Sequence, residues 1–227
     1  MEDDRLVRGA GNFSDDHKCD EAAYGAFLRS PHAHAEITYI DVSKAKNVAG
    51  CLGVWTAEDL KKSKINPFVA DLIRAKQYPN RDGTLMSAPP FYPLADGWAR
   101  HVGDPIALAV GNSAAAAIEA VEAIAVTWKA LPAVVETEKA EIGPSIWSGI
   151  PGNLCFDWDT GDEERVKEAL DTAAYKVSLN VTDNRTVTCF LEPRAALARW
   201  APETHEYVLE AGVQSLTAMR DRLSEIL

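Results

Sequence analysis

The sequence predicts a mixed α+β protein in which a larger first domain is joined by a linker to a smaller second one. The first observation is that short extended segments alternate with helix signals through residues 23–134. The second is a stretch over residues 144–151 that contains proline and glycine, as linkers do. The third is a hydrophobic content of 47% over 227 residues, which is enough to bury a core.

Two strands and a rigid corner open the first domain. We expect the strands over residues 23–28 and 35–41. Between them, Pro31 lacks a backbone donor and disfavours a helical conformation at Ser30. The chain is therefore expected to turn sharply at this point.

Helix signals and a long irregular segment follow the corner. A short helix is expected over residues 42–48 and a buried strand over residues 51–55. Thr56 and Asp59 have the spacing of a capping box, which predicts that a brief helix begins there. Residues 62–92 contain several prolines and an Asn-Arg-Asp-Gly turn, and loops of this length are usually functional or disordered.

A strand, a helix and a further strand complete the first domain. The strands are predicted over residues 106–110 and 126–128, and either Asn112 or Ser113 is expected to cap the helix between them. The apolar face of that helix is predicted to consist of Ala114, Ile118, Val121 and Ala125. Residues 131–134, Leu-Pro-Ala-Val, close the domain.

The second domain is predicted to begin with a helix and to continue as strands. Residues 161–164, Gly-Asp-Glu-Glu, predict the start of a helix with acidic residues in its first turn, and its apolar side is expected to be formed by Val166, Leu170, Ala173 and Ala174. Apolar residues then alternate, as in a half-buried strand, at Tyr175, Val177, Leu179 and Val181. Further strands are expected over residues 186–199 and 206–211. A final helix over residues 215–227 carries an apolar stripe of Leu216, Met219, Leu223 and Ile226.

Composition and charge argue against several classes of partner. The net charge of −11 comes from 34 acidic and 23 basic residues without a basic run, which argues against nucleic-acid and membrane partners. Apolar stretches are too short to span a membrane and the N-terminus is charged, so a cytoplasmic protein is expected. The four cysteines are scattered and are expected to be reduced and mostly buried.

Two patterns of glycine and histidine admit a binding interpretation. Gly9 and Gly11 suggest a nucleotide loop, but a third glycine and a preceding strand are missing, so a surface turn is favoured. His32 and His34 can ligate a metal if the chain is extended there, with residues 15–17 as further candidates. Histidines packed at a corner are the favoured alternative. From these patterns we assign no catalytic residue and no metal ligand.

Several motifs, all in the same order, resemble one enzyme family. The opening residues 5–16 and the corner segment 26–35, Ala-Phe-Leu-Arg-Ser-Pro-His-Ala-His-Ala, carry the first two. Further motifs are residues 50–60, Val-Gly-Asp-Pro-Ile-Ala at 102–107, Leu-Pro-Ala-Val at 131–134, Pro-Gly-Asn at 151–153 and Glu-Pro-Arg-Ala-Ala at 192–196. The chain thereby resembles the molybdenum-binding large subunit of the xanthine dehydrogenase, aldehyde oxidase and carbon monoxide dehydrogenase family.

The resemblance implies a domain layout, a chemistry and a set of partners. It implies an α/β-hammerhead domain over residues 1–138, a linker over residues 139–152 and the N-terminal portion of a molybdopterin-binding domain over residues 153–227. Members hydroxylate a carbon centre with water as the oxygen source, using a molybdenum-molybdopterin cofactor. The implied partners are the remainder of the molybdenum subunit and the iron–sulfur and flavin subunits or domains, with a homodimer left open.

One residue can be matched to a cofactor contact of the family. Gln214, within residues 212–215, stands where the family has a glutamine that hydrogen-bonds the molybdenum centre. An amide at this position can orient a ligand without adding charge, whereas an exposed residue beside a helix start is the alternative. Glu192 and Arg194 are expected to form a structural ion pair or turn rather than to act as catalysts.

Departures from the family pattern determine the expected role of the chain. The Gly-Gly-x-Phe-Gly loop that follows the glutamine in the family is missing from the sequence, and His101 replaces a tyrosine that often precedes Val-Gly. We therefore expect the N-terminal part of a large subunit, inactive and free of cofactor by itself.

Two other functions remain open from the sequence. The first is a non-catalytic hammerhead interaction module that docks onto a separately encoded catalytic or electron-transfer subunit, as residues 62–92 and the stripe of the last helix suggest. The second is a small metal-binding protein that uses His32 and His34.

Overall fold

The computed structural model describes residues 3–17, 19–68, 78–184, 186–190 and 192–227. Contacts divide the chain into two compact units. The first unit comprises Met1–Asp20 and Thr160–Leu216, and the second comprises Glu21–Asp159 and Thr217–Leu227. The mixed α+β class is confirmed, since the described residues form eight strands and six α-helices.

The second unit contains two antiparallel sheets of three strands each. In sheet one, β5 (Pro105–Gly111) lies between β1 (Tyr24–Arg29) and β3 (Cys51–Thr56). In sheet two, β2 (Ala35–Asp41) lies between β4 (Trp98–Ala99) and β6 (Ala125–Ala130). The strands predicted for the first domain lie in this second unit and are therefore confirmed, and β4 is a strand that the sequence did not predict.

Three short helices accompany these sheets, namely α2 (Ser43–Lys46), α3 (Ala57–Lys62) and α4 (Ala114–Glu122). The predicted capping box at the start of α3 is confirmed, because Thr56 N and Oγ1 each donate to Asp59 Oδ2 at 2.9 Å. Of the two cap candidates for α4, Ser113 is the one used. Its hydroxyl accepts a hydrogen bond from Ala116 N at 3.2 Å.

The buried face of α4 differs from the prediction. The buried positions of this helix are Ala116, Ala117 and Ala120. Ile118, which was expected to be buried, is 54% exposed. A Cβ atom placed on Gly111 of β5 would lie 2.6 Å from the backbone nitrogen of Ala117, so helix and strand are in very close contact. Only small residues fit such an approach, which explains why alanine rather than isoleucine faces the sheet.

The core of the second unit is built from small apolar side chains. One cluster consists of Ala45, Val54, Ala107, Ala109, Ala120 and Ile124. A second cluster consists of Ala95, Ala99 and Ile106. Leu28 and Ile40 pack against both clusters, and Ile106 is the largest fully buried side chain among the described residues. Ile106 is therefore the main single anchor of this core.

The corner between β1 and β2 is held by hydrogen bonds to other parts of the second unit. The carbonyl of buried Ser30 accepts from Gly103 N at 2.8 Å, and its hydroxyl accepts from His32 N at 3.0 Å. His34 Nδ1 donates to the carbonyl of Pro132 at 2.8 Å. The corner motif therefore contacts the Val-Gly-Asp-Pro and Leu-Pro-Ala-Val motifs, which lie far away in the sequence.

The irregular segment predicted over residues 62–92 is irregular where the structure describes it. An isolated β-bridge joins Phe68 to Phe91. Residues 69–77 lie outside the described residues, so for them the irregular conformation stays a prediction.

The segment predicted as a linker, residues 139–152, is fastened by the side chain of Asn153. Its Oδ1 accepts from Ile146 N at 2.7 Å, and its Nδ2 donates to the carbonyls of Ala140 and Pro144 at 2.8 and 2.9 Å. One amide side chain thereby makes three hydrogen bonds to the backbone of this segment, which is an ordered connection.

The first unit consists of fewer regular elements. They are α1 (Asp3–Val7), α5 (Glu163–Thr172) and the hairpin of β7 (Ala196–Ala201) with β8 (Glu206–Ala211). The helix predicted to start within residues 161–164 is confirmed as α5, and Asp162 caps it by accepting a hydrogen bond from Arg165 N at 2.9 Å. It ends at Thr172, so Ala173 and Ala174, which were predicted to belong to it, lie beyond its end. The strand predicted over residues 206–211 is also confirmed.

Other expectations for the first unit are wrong. The apolar side predicted for α5 does not pack into a core, because Val166 and Leu170 are 58% and 57% exposed. No strand forms over the alternating residues 175–181, whose apolar side chains are 73–94% exposed. The strand predicted over residues 186–199 is reduced to β7, while positions 185 and 191 lie outside the described residues. A period of two therefore marks an apolar surface here without producing a paired strand.

The last helix, α6 (Leu216–Ile226), is confirmed, but its stripe is covered unevenly. Ile226 is buried, and its carbonyl accepts from Asn66 N at 2.9 Å. Leu223 is half-buried, whereas Met219 is 38% exposed. The C-terminal end of the helix is thus fixed within the second unit.

The cysteines are free, but the expectation that most are buried is wrong. Cys51 is half-buried, whereas the exposed ones are Cys19, Cys155 and Cys189. Within the described residues, no helix has the length and apolar character that crossing a membrane requires.

Candidate cofactor-contact site

Gln214 lies in the short connection that follows the β7–β8 hairpin. The hairpin pairs Ala196 with Ala211 at its open end, so β8 delivers the chain directly to Gly212. The Gln214 side chain is exposed, and it makes no hydrogen bond with any residue that the structure describes. Its amide is therefore free to donate to, or accept from, a group outside this part of the chain.

The carboxylate of Glu192 contacts both Ser14 and the connection that contains Gln214. Glu192 Oε1 accepts two hydrogen bonds from Ser14, from the backbone nitrogen at 3.1 Å and from the hydroxyl at 2.9 Å. A Cβ atom on Gly212 would lie 3.2 Å from the same oxygen, so the carboxylate is pressed against the backbone two residues before Gln214. Ser14, Glu192 and Gly212 thus form a brace, called the Glu192 brace below.

A second contact ties the N-terminal segment to β8. His17 Nδ1 lies 2.8 Å from Glu210 Oε2, and Asn12 Nδ2 lies 3.2 Å from His17 Nε2. These contacts place His17 beside β8, the strand that leads to Gln214, with Asn12 bonded to His17. The opening motif and the Glu-Pro-Arg motif, separated by 178 positions at the Ser14–Glu192 pair, therefore meet in one place.

This geometry corrects one expectation. Glu192 was expected to pair with Arg194 or to form a turn, but its partner is Ser14. Within the described residues Arg194 is exposed and forms no ion pair. The sequence offered no signal for the Ser14 contact, because the two residues lie at opposite ends of the chain.

The arrangement can position one neutral amide but does not enclose a ligand. Glu210 and Glu192 are engaged by neighbouring side chains, which leaves Gln214 as the polar group that is exposed and free in the connection. A molybdopterin cofactor is held by polar contacts from many loops at once. One exposed amide can supply one such contact, so the described residues of the first unit do not amount to a complete pocket.

The two histidines of the corner have different environments. His34 is buried and donates to the backbone carbonyl of Pro132, whereas the ring centroid of His32 lies 5.2 Å from that of Trp128. Among the described residues, no three His, Cys, Asp or Glu side chains form a group that can hold a metal. Both histidines thus have structural contacts of the favoured kind, hydrogen-bonded or packed at a corner.

Gly9 terminates α1 in a surface turn. Its φ of +68° is a conformation that glycine adopts readily, and Ala10 N donates back to the carbonyl of Arg5 at 2.8 Å. This is a common way to end a helix. The favoured interpretation of the glycine pair as a surface turn therefore agrees with the structure.

One further polar arrangement was missed by sequence reasoning. In the second unit, the guanidinium carbon of Arg100 lies 3.4 Å from the ring centroid of Trp147, beside a cavity of about 720 Å³. The two residues are separated by 46 intervening positions, and neither belongs to a recognised motif, so the sequence alone carried no signal for the pair.

Two family models match the chain in succession. The model described as "Aldehyde oxidase and xanthine dehydrogenase, a/b hammerhead domain" matches residues 8–132, which is more than half of the chain. The model described as "Molybdopterin cofactor-binding domain" matches residues 146–227. The chain belongs to the aldehyde oxidase and xanthine dehydrogenase family. The predicted fold, a hammerhead domain followed by the start of a molybdopterin-binding domain, is thereby confirmed.

Relatives within this family are named as large subunits. The nicotine 6-hydroxylase large subunit of Paenarthrobacter nicotinovorans is 32% identical over 204 residues, which cover 87% of this chain and 23% of the relative. The carbon monoxide dehydrogenase large chain of Afipia carboxidovorans is 32% identical over 178 residues, covering 72% of this chain and 20% of the relative.

Solved structures of the family superpose over the whole chain. Quinoline 2-oxidoreductase from Pseudomonas putida 86 matches with a TM-score of 0.85 at 28% identity, and covers all of this chain. A Cu,Mo-CO dehydrogenase matches with a TM-score of 0.79 at 26% identity. The chain spans about a quarter of the length of these relatives, 28% in both structures.

Proposed function

We propose that this chain forms the N-terminal part of the molybdenum-binding large subunit of a cytoplasmic molybdenum hydroxylase, and that it supplies scaffold and one edge of the cofactor pocket. The observation that supports this most is the unbroken order of the two family matches over residues 8–132 and 146–227. We keep the layout inferred from the sequence, with a hammerhead domain over residues 1–138, a linker over 139–152 and the molybdopterin-binding portion over 153–227.

Within this proposal, Gln214 is the residue of this chain that contacts the cofactor. When bound, the molybdenum cofactor supplies the redox centre for hydroxylation of a carbon with oxygen taken from water. The amide of Gln214 donates a hydrogen bond to it without altering the local charge. Support comes from its exposure and from the Glu192 brace, which holds the backbone at Gly212 close by.

The remaining polar contacts to the cofactor come from outside these residues in this proposal. The partners are the remainder of the molybdenum subunit, together with iron–sulfur and flavin subunits or domains that accept the electrons. By itself the chain is then inactive and retains no molybdenum, because a single amide cannot replace the many contacts that a pterin cofactor needs.

A direct experiment is to purify the chain alone, measure molybdenum by elemental analysis, and assay dye reduction with aldehydes, purines and carbon monoxide. We expect neither stoichiometric molybdenum nor turnover. Stoichiometric metal together with turnover would contradict the proposed dependence on further residues.

The role of Gln214 is tested in the assembled enzyme, in which this chain is expressed together with the remainder of the molybdenum subunit and its electron-transfer partners. We expect Gln214→Ala to lower kcat by about 10-fold to 100-fold, because one preorganised hydrogen-bond donor is lost. Glu203→Ala, at an exposed position in the turn of the hairpin, is the matched control and should leave kcat unchanged. Equal kcat for Gln214→Ala and wild type would remove Gln214 from the site.

A second candidate function is favoured by the exposed apolar side chains of the first unit. Tyr175 and Val177 are more than 90% exposed, and large apolar patches of this kind mark interaction surfaces. In this alternative the chain is a non-catalytic hammerhead module that docks onto a separately encoded subunit. A strictly monomeric chain in light scattering, with no binding to co-encoded subunits, would argue against it.

A further inference from the structure

A cavity with aromatic walls lies within the second unit. Apart from Asp104, the residues that line it lie outside the motifs that carried the family resemblance. Its volume is about 720 Å³, which lies in the range typical of small-molecule sites. Its aromatic lining consists of Phe91, Tyr92, Trp98, His101 and Trp147. The remaining lining is mainly proline, alanine, glycine and serine, together with Arg100, Asp96 and Asp104.

Arg100 lines this cavity, and most of the hydrogen-bond donors of its guanidinium have no partner among the described residues. Its guanidinium carbon lies over the indole of Trp147, 3.4 Å from the ring centroid, in a cation–π contact. Its Nε is buried and has no hydrogen-bond partner, and Nη1 makes one long hydrogen bond of 3.4 Å to the carbonyl of Trp98. Within the described part of the chain, Arg100 forms no salt bridge. A half-buried guanidinium with most donors unused lacks the anion that such groups normally bind.

The two carboxylates that line the cavity do not serve as that anion. Asp96 is engaged by Lys61 at 2.6 Å. Asp104 accepts a hydrogen bond from the backbone nitrogen of Arg100 at 2.9 Å and lies 3.7 Å from His101 Nδ1. Desolvation lowers the pKa of Arg100, although the charges of Asp104 and Asp96 oppose that shift. The guanidinium therefore contacts Trp147 and has no direct counterion among the described residues.

We propose that this cavity binds a small organic carboxylate with a planar aromatic body, in which Arg100 receives the carboxylate and the aromatic side chains around it receive the ring. The planar fork of a guanidinium matches a carboxylate through two parallel hydrogen bonds. The contact with Trp147 restricts the movement of the guanidinium before a ligand binds, which reduces the entropy lost on binding. Trp98 and Tyr92 provide apolar area for an aromatic ring.

The test uses the full chain and benzoate as the probe, with benzamide as a neutral probe of the same shape. Titration is followed by calorimetry and by the indole signals of an ¹H–¹⁵N spectrum. We expect benzoate to bind with a Kd on the order of 1 mM, as suits a fragment of its size. Benzamide should bind at least about tenfold more weakly, because the charge-assisted hydrogen bonds are lost.

Variants locate the site. Arg100→Met should abolish benzoate binding, and Arg100→Lys should weaken it by about tenfold because a lysine cannot form the planar fork. Arg199→Met, at an exposed position of β7 in the other unit, is the matched control and should bind benzoate as wild type does. The comparison of benzoate with benzamide needs no variant, so it decides the matter even if Arg100→Met fails to fold.

Three results would overturn the proposal. They are an absence of benzoate binding at tens of millimolar, equal binding of benzoate and benzamide, and retention of binding in Arg100→Met. Capture of an acidic peptide without any binding of benzoate would count as the first result, since it would assign the cavity to a protein side chain.

Discussion

Residues 21–159 and residues 160–216 belong to the same family fold but differ sharply in what they bury. Nearly all buried apolar residues lie between Ala35 and Ile124, in the first of these regions. In the second, Ala201 is the single buried residue among those that the structure describes. The first region therefore has a core of its own, whereas the second has apolar side chains without a cover.

The difference shows that apolar periodicity in the sequence does not by itself ensure that the apolar side chains are buried. Both regions carry apolar periodicity, and in both it predicts elements of the same kind. Where strands find partners, as β5 does between β1 and β3, the apolar residues are buried. Where they do not, as over residues 175–181, the same alternation leaves side chains in solvent. Uncovered apolar area of this kind needs another surface.

The largest expected effect comes from removing a large buried side chain from the core of residues 21–159. Ile106→Ala should lower the free energy of unfolding by about 2–5 kcal/mol, because a fully buried side chain is replaced by a cavity. Urea unfolding followed by circular dichroism measures the change. Ile142→Ala, at a residue that is 87% exposed, is the matched control and should cost less than about 0.5 kcal/mol. Equal costs for the two variants would refute the proposed core.

A smaller effect is expected from the Glu192 brace in the second region. Glu192→Ala removes the acceptor of both Ser14 hydrogen bonds. Amide hydrogen exchange in peptides that cover β7 and β8 should become about tenfold faster, while peptides from β5 should not change. Glu206→Ala, at an exposed position of β8, is the control. If both variants exchange at the wild-type rate, the brace does not stabilise the connection to Gln214.

The smallest effect is a pH-dependent one at the start of α3. Partial burial raises the pKa of Asp59, but the two hydrogen bonds from Thr56, aided by Lys62 and Lys46, outweigh it and leave that pKa below its ordinary value. A lowered carboxyl pKa contributes stability above the unfolded pKa of about 4, and that contribution is lost as the pH falls through the folded value.

Asp59→Asn should therefore cost about 1 kcal/mol at pH 7 and progressively less as the pH falls below about 4. Unfolding curves at a series of pH values measure this difference. Glu58→Gln, which breaks an exposed pair with Lys62, is the control and should cost less than about 0.5 kcal/mol. A cost for Asp59→Asn that is constant from pH 7 to pH 3 would contradict the assigned pKa direction.

Much of the first region could be predicted from the sequence because its signals are local. The proline of the corner, the Thr56–Asp59 capping box and the Ser113 cap each act within a few residues, and the structure contains all three. The prediction of the buried face of α4 was wrong for a non-local reason. Alanines lie on every side of that helix, and only the close approach of Gly111 decides which of them are buried.

The candidate site depended on contacts that no local signal carries. Ser14 and Glu192 meet across almost the whole chain, and two strands and a helix lie between Arg100 and Trp147 in the sequence. The assignment of Gln214 rests on a family motif, and it stays a prediction until the assembled enzyme is assayed. The elements of the fold were therefore easier to predict than the pairs of side chains that build sites.

The measurement that tests the central comparison most directly is native amide hydrogen exchange of the isolated chain, resolved by peptide. We expect peptides covering β5 to exchange more than about a thousandfold slower than their unfolded rate, and peptides covering residues 173–184 to exchange close to that rate. Equal protection of the two sets of peptides would contradict the account, because it would show that the exposed apolar region is stabilised within this chain as firmly as the core around Ile106.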